Sequence, residues 1–212
     1  MNKIEACYVN NKYSSDFLAI FIDEKPLDIL LFELNHREDY HGLMPAWLTL
    51  DNTSEQEYIW EILSQVDIKG LSVPILLCPD DMDLSCTIIV AKVFYTHNEV
   101  IWDKIGIVNK ENWSITDWRK SGIRNTNNWL DDDWGRYCKL VDISDIWDKS
   151  WEIWISNNWA YEESMRVKYY THSYLNNDNN VEWFSDIPKF SFNKIEYLEC
   201  IERFRIELLN NA

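Results

Sequence analysis

The sequence has little glycine, and this shortage excludes several kinds of active site. Its five glycines stand at least thirteen residues apart. A phosphate-binding loop needs clustered glycines so that backbone amides can approach the phosphates. GxGxxG, GxxxxGK[ST] and the GxSxG nucleophile elbow are therefore all absent. The sequence offers neither a nucleotide-binding loop nor α/β-hydrolase chemistry.

Histidine is also scarce, with four residues and no HExxH motif. The segment His36–His41 contains two histidines and two acids, but its spacing does not match one face of a helix, so we favour a solvated loop over a metal site. The acidic turn Asp80–Asp83 has no glycine or terminal glutamate to complete a calcium loop. We therefore predict no metal and no cofactor, and no catalytic residue can be assigned.

The five cysteines are an odd number without a CxxC pair, which is typical of a reducing cytoplasm. Cys78 and Cys86 flank the acidic turn and could face each other, but buried small hydrophobic side chains are the favoured interpretation. The first twenty residues lack the apolar core of a signal peptide, and no window approaches the ~20 apolar residues of a membrane span. We expect a soluble cytoplasmic protein without a membrane partner.

Positive charge is in short supply, since 20 Lys and Arg face 36 Asp and Glu and leave a net charge of −16. Residues 1–106 hold 18 of the acidic but only 7 of the basic residues, so the net negative charge is concentrated in the first half of the chain. Such a surface repels nucleic acid and anionic membranes but steers cationic proteins toward it. Acidity that serves only solubility is an equally simple explanation.

The stretch Leu71–Ile107 carries the clearest fold prediction. Its apolar runs Val73–Cys78, Leu84–Tyr95 and Val100–Ile107 are separated by the acidic turn and by a polar tip. Short β-branched runs bounded by Pro, Asp and Asn are typical of strands and turns. We predict three antiparallel strands in the middle of a sheet.

Flanking segments complete an α+β fold with a mostly antiparallel sheet. Further strands are predicted at residues 4–9 and 181–184, and a hairpin joins Phe17–Ile22 to Leu27–Leu34 through Asp23–Pro26. A helix near 53–66 begins with a Thr53–Gln56 capping box and continues with the apolar stripe Tyr58, Ile59, Ile62, Leu63 and Val66. A C-terminal helix near 193–209 begins at Asn193, with one apolar face drawn from Ile195, Leu198, Ile201, Phe204 and Leu208.

We interpret residues 1–212 as a single domain, with a possible subdivision near 108–128, where the sequence becomes polar and rich in asparagine. Strands are predicted at 137–143 and 165–170, whereas residues 144–157 fit either a helix or a strand.

The sequence also contains an unusually large number of tryptophans, twelve in all. Trp129 and Trp134 flank Asp131–Asp133, which is the wrong sign of charge for stacking on nucleic acid. Tryptophan beside acid instead suits a surface that binds a basic protein. The candidate partner-binding residues are Trp129, Asp131, Asp132, Asp133 and Trp134, with a second patch at Asp80, Asp81 and Asp83.

Two segments resemble a known class of proteins. The pattern Pro74-x3-Cys78-Pro79-Asp80-Asp81-x-Asp83-x2-Cys86, followed by Val100-x-Trp102-x2-Ile105-Gly106, resembles immunity proteins of bacterial polymorphic toxin and contact-dependent growth inhibition systems, and so does the ending Val181–Tyr197. The resemblance covers about a third of the chain. It implies an acidic cytoplasmic protein that neutralises one cognate toxin, often a basic nuclease, and it transfers no contact residues.

Three functions follow as hypotheses. The first is an immunity-type inhibitor of a basic protein toxin that has no direct contact with nucleic acid. The second is a DNA-mimic inhibitor whose carboxylates imitate a row of phosphates. The third and weakest is a carboxylate-dependent hydrolase, because two acids suffice for that chemistry but nothing in the sequence selects a pair.

Overall fold

The computed structural model describes residues 1–9, 17–37, 40–50, 53–80, 82, 84, 87–108 and 178–211. All of them belong to one unit, composed of Met1–Val108 and Leu175–Ala212, while residues 109–174 are assigned to a second unit. The elements predicted at 137–143, 144–157 and 165–170 lie outside the described residues. They stay predictions, as does the single domain with its possible boundary near 108–128.

A six-stranded antiparallel sheet forms the centre of the described unit. Its order is β4-β5-β6-β7-β8, and β9 also pairs with β7. The strands are β4 (Met44–Pro45), β5 (Leu71–Leu77), β6 (Ile88–Tyr95), β7 (Glu99–Val108), β8 (Val181–Trp183) and β9 (Phe190–Asn193). The prediction of three antiparallel strands in the middle of a sheet is confirmed by β5, β6 and β7.

The second of these strands begins at Ile88, four residues later than Leu84, where the sequence predicted it to begin. Leu84 is nevertheless buried, and its backbone N–H donates to the Glu55 carboxylate at 3.1 Å. Its apolar side chain therefore anchors a loop to the core rather than continuing the strand.

A small antiparallel sheet comprises β1 (Ile4–Val9), β2 (Phe17–Ile22) and β3 (Lys25–Pro26). The strands expected at 4–9 and 17–22 are confirmed. Asn2 links this sheet to the larger one, because its N–H donates to the Ser191 carbonyl at 2.6 Å and its side-chain oxygen accepts from the Ser191 N–H at 3.2 Å.

The hairpin prediction is wrong in its second arm, because Leu27–Asn35 is a helix, α1. Asp23 and Glu24 form the turn with positive φ angles of 50° and 68°, and only Lys25–Pro26 pairs back to β2. Proline cannot donate a ladder hydrogen bond but is well suited to precede a helix. Leu27 and Leu31, one helical turn apart, then bury their side chains, so a helical stripe replaces the expected alternation.

The helix α2 spans Thr53–Gln65, as predicted, and its apolar stripe is buried. Gln56 ties the start of this helix to the preceding loop, since its side chain accepts from the Leu50 N–H at 3.3 Å and donates to the Trp47 carbonyl at 3.1 Å. The Thr53 side chain, the other half of the expected capping box, lies outside the described residues. Gly70 follows with a φ of +80° and closes the connection to β5.

The C-terminal helix, α3, spans Lys194–Asn211 and is capped as predicted, with the Asn193 side chain accepting from the N–H groups of Ile195 and Glu196 at 2.9 and 3.4 Å. Its buried face is made by Tyr197, Cys200 and Phe204. The single apolar face proposed from the sequence is therefore wrong, because Ile195 and Leu198 are exposed. Apolar residues lie on two faces of α3, and only one packs on the sheets.

Aromatic side chains fill the space beneath α3. The Trp47 ring meets Phe204 edge to face at 5.4 Å, and Trp102 meets Phe192 in the same way at 5.3 Å. Both indole N–H groups have acceptors, the Pro74 carbonyl at 2.9 Å for Trp47 and the Tyr197 hydroxyl at 3.4 Å for Trp102. Buried indoles that keep a hydrogen bond contribute packing without an unsatisfied donor.

No helix among the described residues is long and apolar enough to span a bilayer.

Gly106 is a position where the fold requires the absence of a side chain. A Cβ built there would lie 2.5 Å from the Glu182 carbonyl oxygen and 3.0 Å from the Trp183 Cα, both backbone atoms of the neighbouring strand β8. We expect Gly106→Ala to lower the free energy of unfolding by about 1–3 kcal/mol, because β8 must move away from β7. Urea unfolding measures the loss.

Lys104→Ala is the matched control, since Lys104 is an exposed residue two positions earlier on the same strand. It is expected to lower the free energy of unfolding by at most about 0.5–1 kcal/mol, because its exposed ammonium lies only over the Trp183 ring of β8 and does not displace that strand. Equal stabilities for the two variants would contradict the close packing of β7 on β8.

Candidate functional site

A groove of about 1110 Å³ runs between α2 and α3. The helix α2 packs on β5, whereas α3 packs on β7, β9 and β1. The strands β7 and β9 lie two and three strand spacings from β5, or about 10 and 14 Å at ~4.8 Å each. The larger separation exceeds the roughly 8–10 Å between the axes of two helices in direct contact, which leaves room for the groove over the sheet.

Apolar side chains from both helices form the walls of this groove. From α2 come Trp60 and Leu63, and Tyr95 contributes from the end of β6. From α3 come Ile195, Leu198, Ile201, Leu208 and Leu209. Three of the α3 side chains are exposed, with 68% of Ile195, 43% of Leu198 and 70% of Leu209 accessible to solvent. Contiguous exposed apolar surface of this kind is typical of a binding site on a soluble domain.

The rim of the groove is acidic. Glu57 on α2 and Glu199 and Glu202 on α3 line it, and Arg205 is the one basic residue that does so in the described part of the chain. The Arg205 guanidinium lies 4.0 Å from the Glu202 carboxylate, and both side chains are exposed. This pair offsets one of the three carboxylates, and within the described part of the chain Glu57 and Glu199 have no basic partner, so the groove presents an apolar lining inside a negative border.

Two polar side chains that line the groove differ in their hydrogen bonding. The Gln56 carboxamide makes the two backbone hydrogen bonds that join α2 to the preceding loop, whereas the buried Trp60 indole N–H has no acceptor among the described residues. Tyr95, at the groove wall, has a pKa raised by burial to about 12, so its hydroxyl is neutral near pH 7. Among the described lining residues, ionised side chains are therefore confined to the border, and affinity for a ligand inside it must come from apolar contact.

The site residues proposed from the sequence do not converge on this groove. Asp80 is exposed on the turn after β5 and does not line it. Asp81, Asp83, Trp129, Asp131, Asp132, Asp133 and Trp134 lie outside the described residues, so their partner-binding role stays a prediction.

The structure describes Cys78 and Cys200, and part of the loop that was considered as a metal site. Cys78 is a free, half-buried thiol rather than one half of a disulfide, and Cys200 is a free thiol in the core. No cluster of three or more His, Cys, Asp or Glu side chains suited to a metal ion occurs among the residues that the structure describes. The acids Glu38 and Asp39 of the loop considered above lie outside that set.

The sequence of α3 contains one feature that indicates the groove, a second set of apolar residues outside the buried set. Helix α3 carries apolar residues at Ile195, Leu198 and Leu209 in addition to the buried set of Tyr197, Cys200 and Phe204. A helix that packs on one side of a sheet needs a single apolar stripe, and a second stripe indicates a second surface. Treating the two sets as one face hid this surface.

Comparison of the chain with family models, curated protein sequences and solved structures gives no match.

Proposed function

We propose that this protein is an immunity-type inhibitor that binds and neutralises a cognate, basic protein toxin. The observation that carries the proposal is the combination of a net charge of −16 with an apolar groove bordered by unbalanced carboxylates. Negative charge speeds encounter with a cationic partner, and apolar contact slows its release. The resemblance of Pro74–Gly106 and Val181–Tyr197 to immunity proteins supports the same function.

The partner implied by this function is a protein with a basic surface. An acidic inhibitor gains its association rate from long-range attraction, which salt weakens because the Debye length falls from about 30 Å at 0.01 M to about 8 Å at 0.15 M. A specific interface of ordinary size buries on the order of 1,600 Å² in total. The groove would supply the apolar centre of such an interface and its glutamates part of the rim.

The product of the neighbouring gene is the first partner to test. We expect it to form a 1:1 complex with this chain, with a dissociation constant below micromolar at low salt that rises as salt is added. Co-expression should protect cells from the toxic effect of that product. Isothermal titration calorimetry at two salt concentrations and a growth assay measure the two effects.

An unrelated acidic protein of similar net charge is the control for non-specific attraction. It should bind the same product weakly and give no protection. The proposal is wrong if the neighbouring product does not associate with this chain at micromolar concentration, or if the unrelated acidic protein protects equally well.

A further inference from the structure

We infer that the groove between α2 and α3 is the docking site for an amphipathic helix of a cationic partner. Within the proposed function that helix belongs to the toxin, and to this extent the inference rests on the proposed function. It goes further by assigning the contact surface, the structural element that occupies it and the chemistry of that element.

The length and shape of the groove suit a helix. Ile195 and Leu209, which both line the groove, are fourteen residues apart on α3, a distance of about 21 Å at 1.5 Å per residue. A partner helix of the same length presents about four turns, whose apolar side chains at i, i+3, i+4 and i+7 lie along one line. The row of apolar side chains on α3, with Trp60 and Leu63 of α2 opposite it, can receive such a line of side chains.

The charge of the rim decides which helix fits. Glu57 and Glu199 have no basic neighbour among the groove-lining side chains other than Arg205, which lies beside Glu202. Neither α2 nor α3 has a basic residue in its last turn, so the negative C-terminal end of each helix dipole is not offset there. Lys or Arg flanking an apolar stripe complements this border, whereas Asp or Glu there is repelled.

The same charges argue against two other occupants. A second copy of this chain would bring a net charge of −16 against an equal charge, with carboxylates facing carboxylates at the rim. A fatty acid or another anionic amphiphile would place its head group among Glu57, Glu199 and Glu202, with Arg205 as the one lining cation in the described structure. A cationic amphipathic helix meets no such repulsion.

The first test uses a synthetic probe and therefore needs no knowledge of the natural partner. The probe is a peptide of about 14 residues composed of leucine and lysine, with the leucines on one helical face. We expect it to bind the wild-type chain at micromolar concentration, measured by fluorescence anisotropy. The same peptide with glutamate in place of lysine should bind at least tenfold more weakly.

Variants of the exposed apolar residues locate the site. Leu198→Asn combined with Leu209→Asn should weaken binding of the lysine peptide at least tenfold, because both side chains line the groove. Ile206→Asn is the matched control, since Ile206 is 51% exposed on the same helix and does not line the groove. It should change the affinity less than twofold. Leu209→Asn alone, at the exposed end of α3, provides a variant whose fold is least disturbed.

A second pair of variants tests the charge of the rim. Glu199→Lys should weaken binding of the lysine peptide about fivefold or more. Glu182→Lys, the same change at an exposed residue of β8, should weaken binding by less than half as much. Equal effects would mean that total charge, not the groove, attracts the peptide. That result would overturn the inference.

Two further measurements can overturn it. If sedimentation shows that the wild-type chain is a dimer and that the Leu198→Asn, Leu209→Asn variant is a monomer, the occupant of the groove is a second copy and the inference is overturned. Native mass spectrometry would also overturn it if it showed a bound anionic lipid that the peptide cannot displace. A monomer free of lipid supports the inference, as does any loss of peptide affinity that only the groove variants produce.

The neighbouring gene's product separates this inference from the proposed function. If it binds the wild-type chain and the Leu198→Asn, Leu209→Asn variant equally well, the groove assignment is wrong and the proposed function stands. If it binds neither while the lysine peptide binds only the wild type, the proposed function is wrong and the groove assignment stands. Selective loss of binding in the groove variant supports both.

Discussion

Trp47→Ala is expected to lower the free energy of unfolding by about 3–5 kcal/mol. Trp47 is fully buried, and its ring meets both Tyr197 and Phe204 of α3 edge to face. The substitution leaves a cavity beneath α3 and removes the donor to the Pro74 carbonyl. Chemical unfolding of the purified variant measures the loss.

Trp183→Ala provides the comparison, because Trp183 is only half-buried at the end of the sheet, where Lys104 lies 5.8 Å from the centre of its ring. Trp183→Ala is expected to lower the free energy of unfolding by less than half as much as Trp47→Ala. A Trp47→Ala variant as stable as Trp183→Ala would show that the cluster of Trp47, Tyr197 and Phe204 is not the centre of the core.

The second large effect is loss of stability at alkaline pH. Burial is the main cause that raises the pKa of Tyr95 from 10.0 and of Cys200 from 9.0, in each case to about 12, and it raises the pKa of Tyr197 well above its ordinary value. Below pH 9 all three groups are protonated in both the folded and the unfolded chain, so their contribution to stability is fully present. Between pH 9 and about pH 12 the unfolded chain loses protons that the folded chain keeps, and stability falls.

Each group contributes up to about 1.4 kcal/mol per pH unit over its window. Above pH 10 the slopes of the three groups add, and Tyr95 contributes less than this limit because its side chain is only partly buried. We expect the free energy of unfolding to fall as the pH rises from 9 toward about 12, and the tyrosinate absorbance of Tyr95 and Tyr197 to appear together with the loss of structure. Circular dichroism and absorbance on one sample measure both.

Tyr95→Phe separates one titrating group from the others. The slope of stability against pH should become shallower between pH 10 and about pH 12, because the Tyr95 hydroxyl no longer ionises on unfolding. The change should be smaller than about 1.4 kcal/mol per pH unit, since the side chain is only partly buried. Urea titrations at several alkaline pH values give the slopes. An unfolding free energy of the wild type that is unchanged between about pH 8 and about pH 11 would contradict the burial of these groups.

The sequence was sufficient to predict the secondary structure where the apolar pattern and the turn or capping residues of a segment indicate the same element. The α+β class, the central strands and both predicted helices followed from apolar runs, turn residues and caps such as Asn193. The Leu27–Leu34 segment was misinterpreted because a short leucine-rich run fits a strand or a helix equally well by periodicity. The turn geometry at Asp23 and Glu24, which places Pro26 directly before α1, settles that choice in the structure.

The groove lay beyond sequence reasoning for a different reason. Its width depends on strand order, since α2 lies on β5 while α3 lies on β7, β9 and β1, and no local pattern indicates which strands become neighbours. The two apolar faces of α3 could have been separated by assigning Tyr197, Cys200 and Phe204 to the core. That the other face borders a channel with Trp60 and Leu63 requires the pairing of β5, β6 and β7.

Hydroxyl-radical footprinting of this chain, alone and in complex with the neighbouring gene's product, tests whether the groove is the contact surface for the toxin. It reports the solvent access of individual side chains by mass spectrometry. We expect Ile195, Leu198 and Leu209 to become protected in the complex, while Ile68, which is 79% exposed after α2 and does not line the groove, reacts at an unchanged rate. A complex in which these three side chains react as fast as in the free chain would contradict this assignment of the contact surface.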